Sequence, residues 1–353
     1  MRKIYVSDIT LKKLAEDREV SLLFREKSAI ANCADKLGVD CIELPAVKNF
    51  REDSIIYKTI AKNIQDATLA IPVGYTSEDV SLSWECVKDA KNPRLQIELP
   101  VSTIQMEYTY HVKQSKMLER IVELVAAAKA VCKDVEFSAL DATRADEDFL
   151  ITAVKEAENN GATMITVCDN AGVSTPDQIA ELAQKVKAAV SVPVYVQISD
   201  RINMAVASAF SAIAKGVDGL KCAMSGKDVL LTGELSDAVC ACGTQINAQI
   251  MLNRTNIHAS IGDMVSSISR DAYNTQNEIS DKKKILLDSN ATVVQVAEAA
   301  AVLGYELSDS DIGNVHKALT QVCEKKGAVG AKEFEALIAS SAMQAPSTYH
   351  FET

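Results

Sequence analysis

Polar and cationic side chains follow several stretches of the sequence that have β-strand character. Lys12 and Lys13 come after the first such stretch, and the segment 197–201 (Gln-Ile-Ser-Asp-Arg) ends the seventh. In a parallel barrel the carboxyl ends of all strands meet at one mouth, where the catalytic groups of that architecture lie. This placement predicts a set of catalytic side chains there: Lys12, Lys13, Gln197, Ser199 and Arg201.

The chemistry that these residue types favour is recognition of a small anion. Two neighbouring ammonium groups can also lower each other's pKa, so that one of them acts as a base or as a Schiff-base nucleophile. If the first strand continues as far as Lys12 and Lys13, the two point to opposite faces and only one of them enters the barrel. The competing interpretation is that both lysines are ordinary solvated residues.

The elements that must position these groups alternate between short β-rich stretches and amphipathic helical stretches. Eight strands alternating with helices predict a parallel sheet covered by helices, and eight is the number that closes a barrel. The predicted strands are Lys3–Thr10, Val39–Leu44, Ala67–Val73, Arg94–Val101, Asp134–Ser138, Ala162–Val167, Val192–Ile198 and Val217–Cys222. Between the sixth and seventh of these strands, Pro176–Val190 has apolar residues at helical spacing and a proline suited to the first turn.

The fold class that follows is α/β, a (β/α)8 TIM barrel with a C-terminal helical appendage. The repeat is regular and contains no G-x-G-x-x-G or P-loop, so an open dinucleotide-binding sheet has no sequence support. We place the barrel at residues 1–250, a linker or helical extension at 251–290, and a small helical subdomain at 291–343. Within the subdomain, Ser308–Lys325 has the pattern of a capped amphipathic helix.

Bulk composition excludes several classes of function. The chain has 353 residues and a formal net charge of -11, which makes nucleic acid and anionic membranes poor partners. The absence of a signal-peptide pattern or a long apolar run predicts a cytoplasmic protein. Nine cysteines within mostly apolar patterns indicate reduced, buried thiols, and none of the four histidines, His111, His258, His316 and His350, falls on a predicted strand end.

Several motifs resemble those of the isopropylmalate, homocitrate and citramalate synthases of the DRE-TIM metallolyase superfamily, which share an HMGL-like pyruvate carboxyltransferase domain. The matching segments cover about nine-tenths of the chain. They are 8–21, 26–27, 37–43, 135–144, 146–150, 161–163, 169–172, Pro176, 204–207 and, in the helical appendage, 303–309.

The resemblance implies condensation of acetyl-CoA with a 2-oxo acid on a divalent metal, and this sequence departs from the motifs that hold that metal. Where the family has Arg-Asp-Gly after the first strand, this chain has Lys12-Lys13-Leu14. Where the family has His-x-His-Asn-Asp, it has residues 197–201, without either imidazole. The family asparagine falls at Cys222, its glutamate at Leu140 and its strand-four histidine at Gln96. We therefore predict no metal and no other cofactor, with acetyl-CoA as a substrate still open.

Other residues that match the family are candidates for binding the substrate or for maintaining the fold. Carboxylates can cap the loops of the barrel, and a glycine can take a positive φ, so a structural role competes with a binding role at each position. The predicted substrate-binding set is Asp8, Gln96, Ser102, Asp141, Arg144, Asp169, Asn170 and Cys222.

Three functions remain open from the sequence. The first is a diverged synthase-like enzyme that acts on a small 2-oxo acid or carboxylate without a metal. The second is a non-catalytic paralogue that binds a metabolite or pairs with an active synthase. The third is the family's acetyl-CoA condensation, retained with an altered site. The partners we expect are a small anionic metabolite and a second copy in a homodimer, or an active synthase in a hetero-oligomer.

Overall fold

The structure is a computed structural model, and it describes residues 1–17, 20, 22–253, 262 and 285–342. Its centre is a closed barrel of eight parallel strands, in which the first strand pairs with both the second and the last. The barrel strands are β2 (Tyr5–Asp8), β3 (Cys41–Glu43), β4 (Thr68–Pro72), β5 (Pro93–Pro100), β6 (Val135–Leu140), β7 (Met164–Cys168), β8 (Val194–Gln197) and β9 (Gly219–Cys222). The predicted fold class is confirmed.

Helices surround the barrel because each carries an apolar stripe that packs on the outer face of the strands. They are α1 (Thr10–Glu16), α2 (Phe24–Leu37), α3 (Phe50–Asn63), α4 (Ser77–Val87), α5 (Thr103–Tyr108), α6 (Gln114–Val131), α7 (Glu147–Asn159), α8 (Pro176–Ala189), α9 (Ala205–Ala214) and α10 (Thr232–Cys242). Short 3-10 turns occupy Ala142–Arg144 and Gly243–Ile246. The helix predicted at Pro176–Val190 is α8, with Pro176 in its first turn and a capping box between Thr175 and Gln178.

The first predicted strand, Lys3–Thr10, is divided in the structure. Residues Arg2–Lys3 form β1, which pairs with β10 (Ala248–Gln249) outside the barrel, and β2 covers only Tyr5–Asp8. Thr10 already begins α1, because the Asp8 carboxylate accepts hydrogen bonds from both the backbone N–H and the hydroxyl of Thr10 and turns the chain there. Lys12 and Lys13 therefore lie on a helix, so the strand alternation considered for them does not apply.

A second hydrophobic cluster forms near the end of the chain, separate from the barrel core. It is built by β11 (Leu286–Asp288), β12 (Ala328–Gly330), α11 (Val293–Val302), α12 (Asp309–Lys326) and α13 (Ala331–Ala342). The helix predicted at Ser308–Lys325 is α12, capped by the Ser308 side chain. The proposed linker, 251–290, lies largely outside the described residues, and the domain boundaries stay a prediction.

This cluster contacts the barrel through α13, which packs on α3. At the same contact, the backbone N–H of Phe24, at the start of α2, donates a 3.1 Å hydrogen bond to Glu335 Oε2 of α13. Glu335 is only 8% exposed, and burial raises its pKa to about 7. None of the helices in the described ranges has the length and apolarity needed to cross a bilayer.

Candidate functional site

A cleft of about 610 Å³ opens at the carboxyl end of the barrel, beside the ends of β7 and β8 and the segments that follow β2 and β9. It brings together six of the residues predicted from the sequence: Lys13, Asp169, Asn170, Gln197, Ser199 and Arg201. The remaining lining residues are Glu16, Asp17, Ile198, Lys227 and Asp228. Lys227 and Asp228 were not predicted, because they follow the last strand in a loop without a motif.

Gly172 positions one wall of this cleft. Its φ of +64° is in the left-handed region, and a Cβ there would lie 2.5 Å from Ser199 Oγ and 2.9 Å from Arg201 Cβ. Only glycine therefore allows the loop after β7 to pack this closely against residues 199–201. The Asp169 carboxylate holds the same loop, since it accepts hydrogen bonds from the Gly172 N–H at 3.1 Å and the Thr143 hydroxyl at 2.8 Å.

Asn170 is fixed by the neighbouring loop after β6. Its Oδ1 accepts a 2.7 Å hydrogen bond from the Asp141 N–H, and Asp141 has a φ of 57°. The Asp141 carboxylate accepts hydrogen bonds from both Nε and Nη2 of Arg144 and from the buried Ser102 hydroxyl. Three predicted binding residues, Ser102, Asp141 and Arg144, thus lie behind the cleft, where they support Asn170.

The charges around the cleft are mostly paired with each other. Lys13 Nζ lies 2.9 Å from Glu16 Oε2, and Lys227 Nζ lies 3.2 Å from Asp17 Oδ2. Within the described part of the chain, the Arg201 guanidinium and the Asp228 carboxylate have no such partner, although both line the same space. The Asp169 carboxylate also has no ion pair there, but it accepts hydrogen bonds from neutral donors, so Arg201 and Asp228 are the charged lining residues whose side chains have neither kind of partner in the described structure.

Lys12 does not line this cleft but enters the barrel. Its side chain is 11% exposed, with Nζ 3.0 Å from Glu43 Oε2 and in an ion pair with Glu98. Burial alone would lower its pKa, but the carboxylates of Glu98 and Glu43 outweigh burial and raise it above the ordinary lysine value. The expectation that a neighbouring lysine lowers the pKa here is therefore wrong for Lys12, which stays protonated.

Beneath Lys12 lies a second buried lysine that the sequence analysis missed. Lys221 of β9 is 0% exposed, with Nζ 2.8 Å from Glu43 Oε1 and 2.6 Å from Glu136 Oε1, in ion pairs that lack hydrogen-bond geometry. Burial opposes ionisation of all three groups, yet their mutual attraction raises the pKa of Lys221 and lowers the pKa values of both glutamates. We call Lys12, Lys221, Glu43, Glu98 and Glu136 the interior charge network.

Neutral side chains complete the network. Gln96, predicted to bind substrate, is fully buried and donates a 2.8 Å hydrogen bond to Glu136 Oε2. The hydroxyls of Ser138 and Thr166 donate to Glu136 Oε1 at 2.8 and 2.7 Å, and the Ser7 hydroxyl donates to Glu43 at 2.8 Å. A charged residue inside an otherwise apolar strand, as in Leu220-Lys221-Cys222, was the signal that could have revealed this network.

Asp8 and Cys222 lie at the seam where β2 meets β9. Burial raises the pKa of Asp8 to about 7, against the hydrogen bonds from Thr10. The Thr10 hydroxyl donates to Asp8 at 2.8 Å and accepts from the Met224 N–H at 2.8 Å, so it links the first and last loops of the barrel. The Cys222 thiol accepts from the Thr232 hydroxyl at 3.2 Å, and burial raises its pKa to about 12.

These side chains do not fit the divalent metal of the resembling synthases. At the positions that the sequence resemblance assigns to metal ligands, this chain has the ammonium of Lys13, the amide of Gln197, the hydroxyl of Ser199 and the buried thiol of Cys222, whose pKa burial raises. No group of three or more His, Cys, Asp or Glu side chains in the described ranges is arranged to hold a metal ion. Of the histidines, His258 and His350 lie outside the described residues.

Comparison with known proteins places this chain in a family. A family model described as HMGL-like matches residues 3–228. The 2-isopropylmalate synthase of Carboxydothermus hydrogenoformans is 26% identical over 389 residues, which cover 99% of this chain and 76% of that protein. The enzyme of the same name from Bacillus velezensis is 34% identical over 230 residues, covering 64% of this chain and 44% of that protein.

Solved structures share the fold at lower identity. The HMG-CoA lyase from Brucella melitensis superposes with a TM-score of 0.63 at 12% identity, over 77% of this chain and all of that one. The HMG-CoA lyase from Bacillus subtilis gives 0.63 at 13% identity over 78% of this chain. At these identities the likeness concerns the barrel fold alone.

Proposed function

This chain belongs to the HMGL-like family, and from that premise we propose that it binds a small 2-oxo acid or related carboxylate at the cleft and acts on it without a divalent metal. The observation that carries the proposal is that the Lys13 side chain lines the cleft. The sequence resemblance aligns this residue with the metal-binding aspartate of the isopropylmalate and homocitrate synthases. A fixed ammonium there repels a divalent cation and attracts the carboxylate that such a cation would otherwise hold.

The cleft supplies the other contacts that a carboxylate needs. Arg201 offers a guanidinium, which suits bidentate binding of a carboxylate. The amide of Asn170 and the side chains of Gln197 and Ser199 add polar groups of neutral charge around it. The Asp141 N–H holds the Asn170 amide, and the loop at Gly172 packs against Ser199 and Arg201 Cβ, so the backbone of this wall is already in place for binding.

Of the two lysines predicted to be catalytic, Lys13 is the one that lines the cleft and could react with a 2-oxo acid. Lys12 and Lys221 are held protonated by Glu43, Glu98 and Glu136, and a protonated amine is not a nucleophile. Lys13 borders the open cleft, and the carboxylate it pairs with in the described residues, Glu16, is itself 63% exposed. A Schiff-base route would therefore form its imine at Lys13 Nζ and release water.

Binding is tested by calorimetric titration of the protein with pyruvate and 2-oxoisovalerate, before and after treatment with a chelator. We expect the same affinity in both conditions, and about a tenfold loss in the Arg201→Ala variant, the usual scale for one charge-assisted contact. Arg51→Ala is the matched control, because Arg51 is exposed on α3 and does not line the cleft. A stoichiometric magnesium, manganese or zinc ion required for binding would overturn the proposal.

The covalent route has its own test. Borohydride treatment in the presence of each 2-oxo acid should add the mass of the reduced adduct to the intact protein, and Lys13→Gln should abolish the addition. No adduct with any of the 2-oxo acids would end the Schiff-base route while leaving metal-independent binding in place.

A non-catalytic paralogue is the second candidate, favoured by the state of Lys12. By the sequence resemblance, Lys12 stands where the synthases have the arginine of Arg-Asp-Gly. Its ammonium is nevertheless fixed within the barrel by Glu43 and Glu98 rather than directed to the cleft. Such a protein would bind a metabolite, as a homodimer or beside an active synthase. Purification from the native cell with mass measurement of the assembly tests this: a homomer that turns over a 2-oxo acid excludes it.

The resemblance to the isopropylmalate synthases keeps the acetyl-CoA condensation as a third candidate. Thiol release from acetyl-CoA with 2-oxoisovalerate and pyruvate, with and without chelator, reports that reaction directly. We expect no release that depends on magnesium or manganese, because Lys13, Gln197 and Ser199 do not form a cage for a doubly charged ion.

A further inference from the structure

We propose that the preferred ligand of the cleft is a zwitterion, a 2-amino acid whose carboxylate contacts Arg201 and whose ammonium contacts Asp228. This inference rests on the proposed binding function and names the class of carboxylate within it. The 2-oxo acid and the 2-amino acid share a carboxylate and differ at the second carbon. The ammonium of the amino acid requires an anionic partner that a keto oxygen does not.

The balance of charge in the cleft leads to this ligand. Of the seven charged residues that line it, Lys13 pairs with Glu16 and Lys227 pairs with Asp17. Asp169 accepts hydrogen bonds from Thr143 and Gly172. Among the described charged residues of the lining, the two whose side chains have neither an ion pair nor a hydrogen bond are Arg201 and Asp228. A simple anion would satisfy only the first of these, whereas a zwitterion satisfies both.

The two groups are held on a common frame. The Asp228 carbonyl oxygen accepts hydrogen bonds from the Asp200 N–H at 3.1 Å and from the Ser199 hydroxyl at 3.3 Å. The loop after β9 is thereby attached to the segment that carries Arg201. Although this brings both side chains to one cleft, their charged groups are not within ion-pairing distance of each other, so a ligand can lie between them.

The backbone at Asp228 turns the chain sharply where the loop after β9 meets the cleft. Its φ is 52°, in the left-handed region, which a residue other than glycine adopts at some energetic cost. Such conformations persist where the surrounding structure imposes them, and they concentrate at ligand-binding sites. Here the conformation coincides with the two hydrogen bonds to the Asp228 carbonyl, which attach the loop to residues 199–200.

The test compares three ligands that share one side chain: valine, 2-oxoisovalerate and isobutylamine. We expect the wild-type protein to bind valine about ten times more tightly than 2-oxoisovalerate, and isobutylamine most weakly. The same comparison with alanine, pyruvate and ethylamine controls for side-chain size. Calorimetric titration of the full chain measures all six affinities.

Two variants assign the contacts. Asp228→Asn should remove the preference for valine and leave the affinity for 2-oxoisovalerate within a factor of two, and asparagine tolerates the left-handed backbone at this position. Arg201→Gln should weaken both ligands about tenfold. Asp89→Asn is the matched control, because Asp89 is exposed and follows α4 at the opposite end of the barrel.

Each outcome separates this inference from the proposed function. If 2-oxoisovalerate binds and valine does not, or if the preference for valine survives in Asp228→Asn, the zwitterion inference is overturned and the binding function stands. If none of the six compounds binds, the inference and the proposed binding function fail together.

Discussion

The interior charge network and the cleft above it use the same residue types in opposite ways. In the interior, Lys12 and Lys221 are enclosed by Glu43, Glu98 and Glu136, and each ammonium has a carboxylate at ion-pairing distance. In the cleft, Arg201 and Asp228 are exposed and have no such partner in the described structure. Charges that satisfy each other maintain the fold, whereas charges left unsatisfied at an opening are available to a ligand.

The contrast between the interior charge network and the cleft is tested most severely by replacing Lys221. Lys221→Met should lower the free energy of unfolding by about 3–5 kcal/mol at neutral pH, because Glu43 and Glu136 would then be buried without a counter-charge. Urea denaturation measures the loss. Lys155→Met, at an exposed position on α7, is the control and should change stability by less than about 0.5 kcal/mol.

The stability difference between Lys221→Met and the wild type should also depend on pH. In the wild type the pKa values of Glu43 and Glu136 are lowered. The two carboxylates therefore contribute their full stabilisation of the fold at a pH above the ordinary glutamate pKa, and this stabilisation is lost as the pH falls through the lowered pKa values. Without Lys221, protonation would relieve the buried charge. The stability gap between variant and wild type should therefore narrow from pH 7 to pH 4, and a constant gap would argue against the network.

Glu335 sharpens the comparison, because it is a buried carboxylate outside the network. Burial raises its pKa to about 7, against the Phe24 N–H and the more distant charges of Lys27 and Arg25. A carboxyl group whose pKa is raised by folding destabilises the folded state as the pH rises from the pKa in the unfolded chain to the pKa in the folded protein. Between pH 5 and pH 8 the wild type should lose about 2 kcal/mol relative to Glu335→Gln.

The measurement is chemical denaturation of both proteins across that range. Glu333→Gln serves as the control, since Glu333 lies on the same helix in an exposed ion pair with Lys326. If Glu335→Gln and the wild type have parallel pH profiles, then burial without a counter-charge is not what distinguishes this carboxylate from Glu43.

Gly172 tests whether the cleft wall depends on close packing. Gly172→Ala should cost about 1 kcal/mol more than Gly216→Ala, because both positions have a positive φ but a Cβ meets neighbouring atoms only at Gly172. The added methyl group displaces Ser199 and Arg201, so affinity for 2-oxo acids should also fall. Equal losses in the two variants would mean that the wall adjusts freely.

The smallest effect on stability is expected at Lys13. Its ion pair with Glu16 is partly exposed and joins residues three positions apart on α1, so Lys13→Gln should change the unfolding free energy by less than about 0.5 kcal/mol. Affinity for a 2-oxo acid should nevertheless fall severalfold. A stability loss comparable to that of Lys221→Met would place Lys13 with the interior network instead of the cleft.

The sequence predicts the barrel well because its strands and helices have different apolar periods. Each of the eight predicted strands overlaps a strand of the barrel, and α8 and α12 begin within a residue of their predicted starts. The main error, continuing the first strand to Thr10, arose because a hydrogen bond from the Thr10 N–H to the Asp8 carboxylate is not visible in a pattern of apolar residues.

The site was less predictable, for a physical reason. Six predicted residues line the cleft, but Gln96, Ser102 and Cys222 are buried and Lys12 is turned inward. Whether a polar residue faces ligand or interior depends on its partners from distant strands, such as Glu43 with Lys221. Such pairs join residues far apart in the chain, and a single sequence contains no record of them.

The hydroxyl of Thr10, which joins the Asp8 carboxylate to the backbone of Met224, lies at the seam between the first and last strands of the barrel. Closing that seam brings together residues more than 200 positions apart, which is the most costly loop closure in the barrel. Lys13 and Asp228 reach a common cleft only across this seam. Until the seam closes, the proposed site lacks the wall that Lys13, Glu16 and Asp17 supply, so a ligand of the whole cleft would favour the closed barrel.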